Sequence, residues 1–171
     1  RNSYSQEQMQ MANTLSSQLN ISKEISLLLI NQGITDKEQA DEFFNPKYDD
    51  MHSPFLMKNM RKAVFRILKA VESKQKISIF CDYDVDGTTA CSILYIYFKS
   101  IDATVNYYTP NRHNDGYGLN ENAVKTIIEN KSDLVITVDC GITNVDECKM
   151  LMDQGIDVIV ADHHECGEIL P

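Results

Sequence analysis

Two patterns of apolar and polar positions divide the chain. Through residues 1–76 the spacing is helical. Ser22 stands where it can cap a helix carrying Ile25, Leu28 and Leu29, and Gly33 falls where that helix would stop. Thr35, with Glu38 three residues later, reads as a capping box. The short helix it opens would end at Phe43–Phe44, before Pro46. Beyond the Pro54 loop, Met60, Val64, Ile67, Leu68 and Val71 recur as the apolar stripe of another helix. Lys58, Lys62, Arg66 and Lys69 fall on its opposite face, which reads as a solvated surface.

From residue 77 the period changes. Ile77–Cys81, Thr104–Tyr108, Leu134–Val138 and Val158–Ala161 are short runs rich in β-branched and aromatic residues. Helical segments lie between them, at roughly 88–99, 120–130 and 143–154. Such alternation predicts an α/β fold, a parallel β-sheet with right-handed crossovers and helices on both faces. The predicted strand order is 2-1-3-4, with strands one, three and four side by side. The predicted organisation is a small helical N-terminal region, 1–76, packing on an α/β domain, 77–171.

Sheets of this type bind ligands at the carboxyl ends of their strands. Each predicted strand runs at once into chemistry-bearing residues. The first meets Asp82-Tyr83-Asp84-Val85-Asp86-Gly87, and the second meets Pro110-Asn111-Arg112 and then Asp115-Gly116-Tyr117-Gly118. The third meets Asp139-Cys140-Gly141, and the fourth Asp162-His163-His164. This convergence on one edge points to a site more firmly than any single motif.

If the backbone stays extended, Asp82, Asp84 and Asp86 point the same way. Three such carboxylates repel one another unless a cation sits among them. The triplet also fits a solvated loop whose acids cap a helix. Asp139, from mid-crevice, is placed to bridge two ions. Adjacent histidines diverge, so one of His163 and His164 can bind metal while the other faces substrate, with Asp162 orienting a ring. Carboxylates with imidazole suit Mn²⁺ or Mg²⁺ better than a structural zinc. On the substrate side, Arg112 can grip a phosphate. Gly116 and Gly118 would let the backbone approach closely. Tyr117 can stack on a base or sugar, or pack in the core.

Composition adds limits. No apolar run approaches a membrane span, and no signal-peptide pattern opens the chain. The five cysteines are odd in number and form no Cys-x-x-Cys pair, which points to a reducing cytoplasm. Cys81, Cys91 and Cys148 read as small buried hydrophobes, while Cys140 and Cys166 fall near candidate ligands. The formal net charge of −9 argues, on its face, against nucleic acid. Residues 58–76 nevertheless hold seven basic side chains and one acid, and many remaining acids belong to the candidate metal site.

Asp82–Gly87, the Val138-Asp139-Cys140-Gly141 turn and Asp162-His163-His164 resemble the first three motifs of the DHH phosphoesterases. The Pro110–Asn120 segment, Asn31–Thr35 and the stretch from Pro54 to Ala70 resemble the RecJ-like single-strand-specific exonucleases within that family. The resemblance implies a metal-dependent hydrolase that degrades single-stranded DNA from the 5′ end in recombination and repair, with Mn²⁺ or Mg²⁺. Other replication or repair proteins are implied as possible partners. By the same likeness Asp84, Asp86, Asp139 and His163 match metal ligands, Asp139 being the bridge. His164 matches the position facing the scissile phosphate, and Asp82 and Asp162 match supporting acids. Cys81 departs from the family, which often has Gly there. The family also has a fourth metal-binding motif, a second domain and an oligonucleotide-binding module, all expected beyond Pro171. Residues before Arg1 are likewise expected. The chain as given is therefore expected to fold and to bind metal weakly, with little or no nuclease activity.

Three other readings compete. One is a DHH phosphatase acting on short oligonucleotides or signalling nucleotides. Another is a haloacid-dehalogenase-type phosphatase, with Asp84 as nucleophile, Asp86 as general acid and Thr109 in the second motif. That mechanism lacks a convincingly placed lysine and leaves both histidines unexplained. The third is a DHH-like scaffold without catalysis.

Overall fold

The structure is a computed structural model that describes residues 4–110 and 118–171. The chain forms two compact units, residues 1–56 and 57–171.

The first unit is helical. Its helices are α1 (Gln6–Leu19), α2 (Lys23–Asn31) and α3 (Lys37–Phe44). Each begins at a polar cap: Ser5 closes a capping box with Gln8, Ser22 accepts from the Ile25 amide, and Asp36 accepts from the Gln39 amide. The α3 cap is thus Asp36 rather than Thr35. Thr35 instead donates its amide to Gln39 Oε1 at 2.8 Å, so the expected box is displaced by one residue. Leu15, Leu29 and Ala40, one from each helix, meet in a small core. Of the apolar positions of α2, Leu29 and Ile30 are buried, while Ile25 and Leu28 are exposed.

The second unit opens with α4 (Met60–Glu72). It continues β1 (Ile77–Cys81), α5 (Val85–Ser100), β2 (Val105–Tyr108) and α6 (Glu121–Glu129). Then follow β3 (Leu134–Val138), α7 (Val145–Asp153) and β4 (Asp157–Ala161). The unit boundary therefore falls after residue 56, where the sequence pattern placed it after 76. The reason is α4, whose Ile67, Ala70 and Val71 join the core built on β1 and β3. Arg66, expected on the solvated face of α4, reaches inward to Asp157, Gln75 Oε1 and the Asp133 carbonyl.

The sheet is parallel throughout, in the order β2-β1-β3-β4. Alternate residues of β1 and β3 serve opposite faces. Ile77, Ile79 and Cys81 of β1, with Leu134, Ile136 and Val138 of β3, pack with Cys91 and Phe98 of α5 and with α4. Phe80 and Val135 pack against Val124 and Ile127 of α6 and Cys148 and Leu151 of α7. Both central strands are buried along their whole length, as a sheet covered on both faces requires. No described helix is long and apolar enough to cross a membrane.

Candidate metal centre

The carboxyl ends of β1, β3 and β4 are neighbours in this sheet, which brings three acidic loops together. The loop after β1 does not stay extended. Asp84 accepts from the Gly87 amide at 3.0 Å and caps α5, which begins at Val85, so Asp86 already lies in the first helical turn. The extended alternation of Asp82, Asp84 and Asp86 therefore ends at Asp84. Asp82 is buried and accepts from the amide of Tyr83 at 2.7 Å. Gly87 is required here because a Cβ would come within 2.6 Å of the Asp82 carbonyl oxygen.

Asp139 leaves β3 in the left-handed region, at φ 60°, with its amide bonded to the Ala161 carbonyl of β4 at 2.9 Å. It is 8 % exposed. Burial raises its pKa, the bond with His163 pulls the other way, and the charges of Asp86 and Asp84 raise it further.

After β4 the chain curls around the Asp162 carboxylate. One oxygen accepts from the amides of His163 and His164 at 2.8 and 3.1 Å, and from His164 Nδ1 at 2.7 Å. The other accepts from the Ile142 amide at 3.0 Å, tying β4 to the Asp139 turn. Burial alone would raise the Asp162 pKa, but these donors bring it below the ordinary carboxylate value. The same bond raises the pKa of His164. Because a carboxylate only accepts, the Nδ1 of His164 carries the proton, leaving Nε2 as the nitrogen suited to a metal or a substrate.

The histidines do not diverge. Their ring centroids lie 4.7 Å apart, since both follow the curl around Asp162. His163 Nε2 is 2.9 Å from Asp139 Oδ1 and 3.9 Å from Asp86 Oδ2.

Two trios of potential ligand atoms result, each within 4.8 Å of one another: Asp82, Asp84 and Asp139, and Asp139, His163 and His164. Asp139 belongs to both. Asp86 joins neither trio but faces His163. The donor set is oxygen and imidazole nitrogen with no thiolate, which fits Mn²⁺ or Mg²⁺. The crowding of carboxylates that raises Asp139 is the electrostatic situation a cation relieves.

Arg112, Gly116 and Tyr117 lie outside the described residues. Gly118 is described and is buried at φ +78°, where a Cβ would meet Asn144 Oδ1 at 3.0 Å. Asn144 escaped the sequence reading. It donates to the Leu119 carbonyl at 2.9 Å and accepts the Leu119 amide at 3.3 Å, fastening the segment before α6 to the turn after β3. Its only sequence signal is an Asn just before a helix, which gives no hint of a partner 25 positions away.

A model of the DHH family, N-terminal domain, matches residues 76–171. The chain belongs to the DHH family. Among curated proteins it is similar to the single-stranded-DNA-specific exonuclease RecJ of Bacillus subtilis, 41 % identical over 92 % of this chain and 20 % of that protein. The RecJ of Thermus thermophilus is 36 % identical over 72 % of this chain and 19 % of its own length. The chain thus spans about a fifth of the curated family members it matches. Among solved structures, an exonuclease RecJ bound to manganese matches with 38 % identity and a TM-score of 0.64, covering 67 % of this chain and 30 % of that one. RecJ of Thermus thermophilus in complex with Mn²⁺ matches with 28 % identity and a TM-score of 0.67, covering 95 % and 22 %. The fold is therefore that of a DHH domain. Family membership also removes the haloacid-dehalogenase reading, and the Thr109 hydroxyl that it needed lies 3.1 Å from Cys81 Sγ.

Proposed function

We propose that this chain is the amino-terminal, metal-binding part of a Mn²⁺- or Mg²⁺-dependent exonuclease that hydrolyses single-stranded DNA from the 5′ end, in the cytoplasm, during recombination and repair. The observation that carries the reading is Asp139 shared between two ligand trios. The likeness to RecJ proteins over most of the chain favours the exonuclease over a phosphatase for short oligonucleotides or signalling nucleotides. It also favours a catalyst over a scaffold, since Asp82, Asp84, Asp139, His163 and His164 supply two groups of potential ligand atoms that share Asp139.

Asp84, Asp86, Asp139 and His163 are the assigned metal ligands. Asp82 lies close enough to Asp84 and Asp139 to join them. Two divalent ions bound there would supply Lewis acidity and a water acidified to near neutrality. The chain's own groups do the rest. Asp139, held by β3 and β4, sets the spacing of the two halves of the site. Asp162 fixes the His164 ring so that Nε2 faces the scissile phosphate. Asp82, buried beside Gly87, supports the β1 loop. Arg112, Gly116, Tyr117 and Gly118 form the substrate side, and Arg112 neutralises a backbone phosphate. Other replication or repair proteins are its proposed partners.

Calorimetric titration with Mn²⁺ tests the site directly. The parent chain should bind in the micromolar to millimolar range, about −8 to −4 kcal/mol. Asp139→Ala should bind at least about tenfold more weakly, a loss of about 1.4 kcal/mol or more. Equal binding by both proteins would remove Asp139 from the site.

A further inference from the structure

Next to the metal centre lies a feature that this function leaves unused. Cys81 ends β1, one residue before Asp82, and its sulfur points to the face that α5 covers. Cys91 sits on α5, one helical turn after Gly87, and therefore on the same side of the helix. Both cysteines belong to the same buried cluster between β1 and α5. Thr109 Oγ1 lies 3.1 Å from Cys81 Sγ. Both cysteines line one open cavity of about 400 Å³, together with Thr88, Tyr95, Tyr107 and Thr109. The cavity gives a small polar reagent a route to sulfurs that are otherwise buried.

We propose that Cys81 and Cys91 form a redox-modifiable pair, closed to a disulfide by hydrogen peroxide and reopened by thiols, and that closure displaces the Asp82–Asp84 turn. In the first step the Cys81 sulfur attacks one peroxide oxygen. The O–O bond breaks, water leaves, and Cys81 becomes a sulfenic acid. The Cys91 sulfur then attacks Cys81, the S–O bond breaks, and a second water leaves. Two electrons pass from the two thiols to one peroxide, and both thiol protons end in water. A dithiol reverses the bond by exchange.

Displacement follows from how α5 is seated. A disulfide draws its sulfurs more than about 1 Å closer than any thiol contact. The helix cannot simply follow, because at Gly87 it already rests on the Asp82 backbone, where even a methyl group would approach to 2.6 Å. The strain falls on the turn between the two contacts, which carries Asp82 and Asp84. Cys140 and Cys148 are buried on the opposite face, and Cys166 is exposed after β4.

The effect on metal binding would rest on the function proposed above, but the test does not. Metal-free protein is treated with stoichiometric hydrogen peroxide, alkylated after denaturation, and mapped by mass spectrometry. The expected result is loss of two hydrogens and a linked pair of peptides containing Cys81 and Cys91, both reversed by dithiothreitol. Recovery of both cysteines as alkylated thiols, or oxidation confined to Cys166, overturns the proposal. Hydrogen exchange of residues 82–88 in the oxidised form should be at least about threefold faster than in the reduced form. Unchanged exchange in a protein that carries the link overturns the displacement.

Discussion

At the scale of single residues, Asp162 shows how one buried carboxylate can organise the turn that carries two histidines. Its side chain is 2 % exposed and accepts four bonds, three from backbone amides. Removing it leaves the Ile142 amide unpaired, so Asp162→Ala should lower the stability of the metal-free protein by about 2 kcal/mol. The pH dependence has two sides. The folded pKa of Asp162 is below its ordinary 3.8, so its contribution is full above that value and is lost as the pH falls through the lowered one. The folded pKa of His164 is above its ordinary 6.5, so its part of the pair is full below that value and is lost as the pH rises through the raised one. The stability difference between the parent and Asp162→Ala should therefore be largest between these limits and shrink on both sides. Urea melts with a chelator, across that range, measure it, and a flat difference would show that the pair is not formed. The carboxylates and imidazoles were legible in the sequence because residue type and place after a strand already point to chemistry. The Asn144 clamp and the inward reach of Arg66 were not, because both depend on partners far along the chain.

At the scale of elements, the sheet was legible and the helix starts less so. Five-residue runs that are apolar but for one small hydroxyl residue, Ser78 in β1 and Thr137 in β3, are too apolar on both faces for solvent-facing strands, and both are buried along their length. The sequence pattern opens α5 near residue 88, but Asp84, one of the acidic triplet, also serves as the cap that begins the helix three residues earlier. The turn after β3 shows a similar double duty. Thr137 is fully buried and its hydroxyl has no partner among the described residues, while Gly141, at φ +106°, leaves it room. A Cβ on Gly141 would approach Thr137 Oγ1 to 2.6 Å. Gly141→Ala should therefore destabilise the protein by about 3 kcal/mol, from backbone strain and from the clash together. Thr137→Ala removes the hydroxyl that clashes. The double variant should then be more stable than the sum of the two single effects by about 1 kcal/mol. Additive effects in denaturant melts would assign the whole cost to the backbone.

At the scale of the molecule, the α/β class was legible from the change of period at residue 77, but the boundary was not. Periodicity assigns α4 to the helical lead-in, while packing assigns it to the sheet, because Ile67, Ala70 and Val71 bury against strands that lie later in the chain. Every candidate ligand lies in the second unit, and so do the cores on both sides of its sheet. Residues 57–171 then hold what is needed to fold and to place the carboxylates. Expressed alone, they should melt cooperatively and bind Mn²⁺ within about threefold of the affinity of the whole chain, a difference of less than about 0.7 kcal/mol. A fragment starting at residue 77 lacks α4 and exposes the face of β1 and β3 that α4 covers. It should lose the cooperative melt. If the longer fragment folds but loses Mn²⁺, the helical unit contributes to the site. If the shorter one melts like the longer one, α4 is dispensable and the boundary belongs where the sequence period changes.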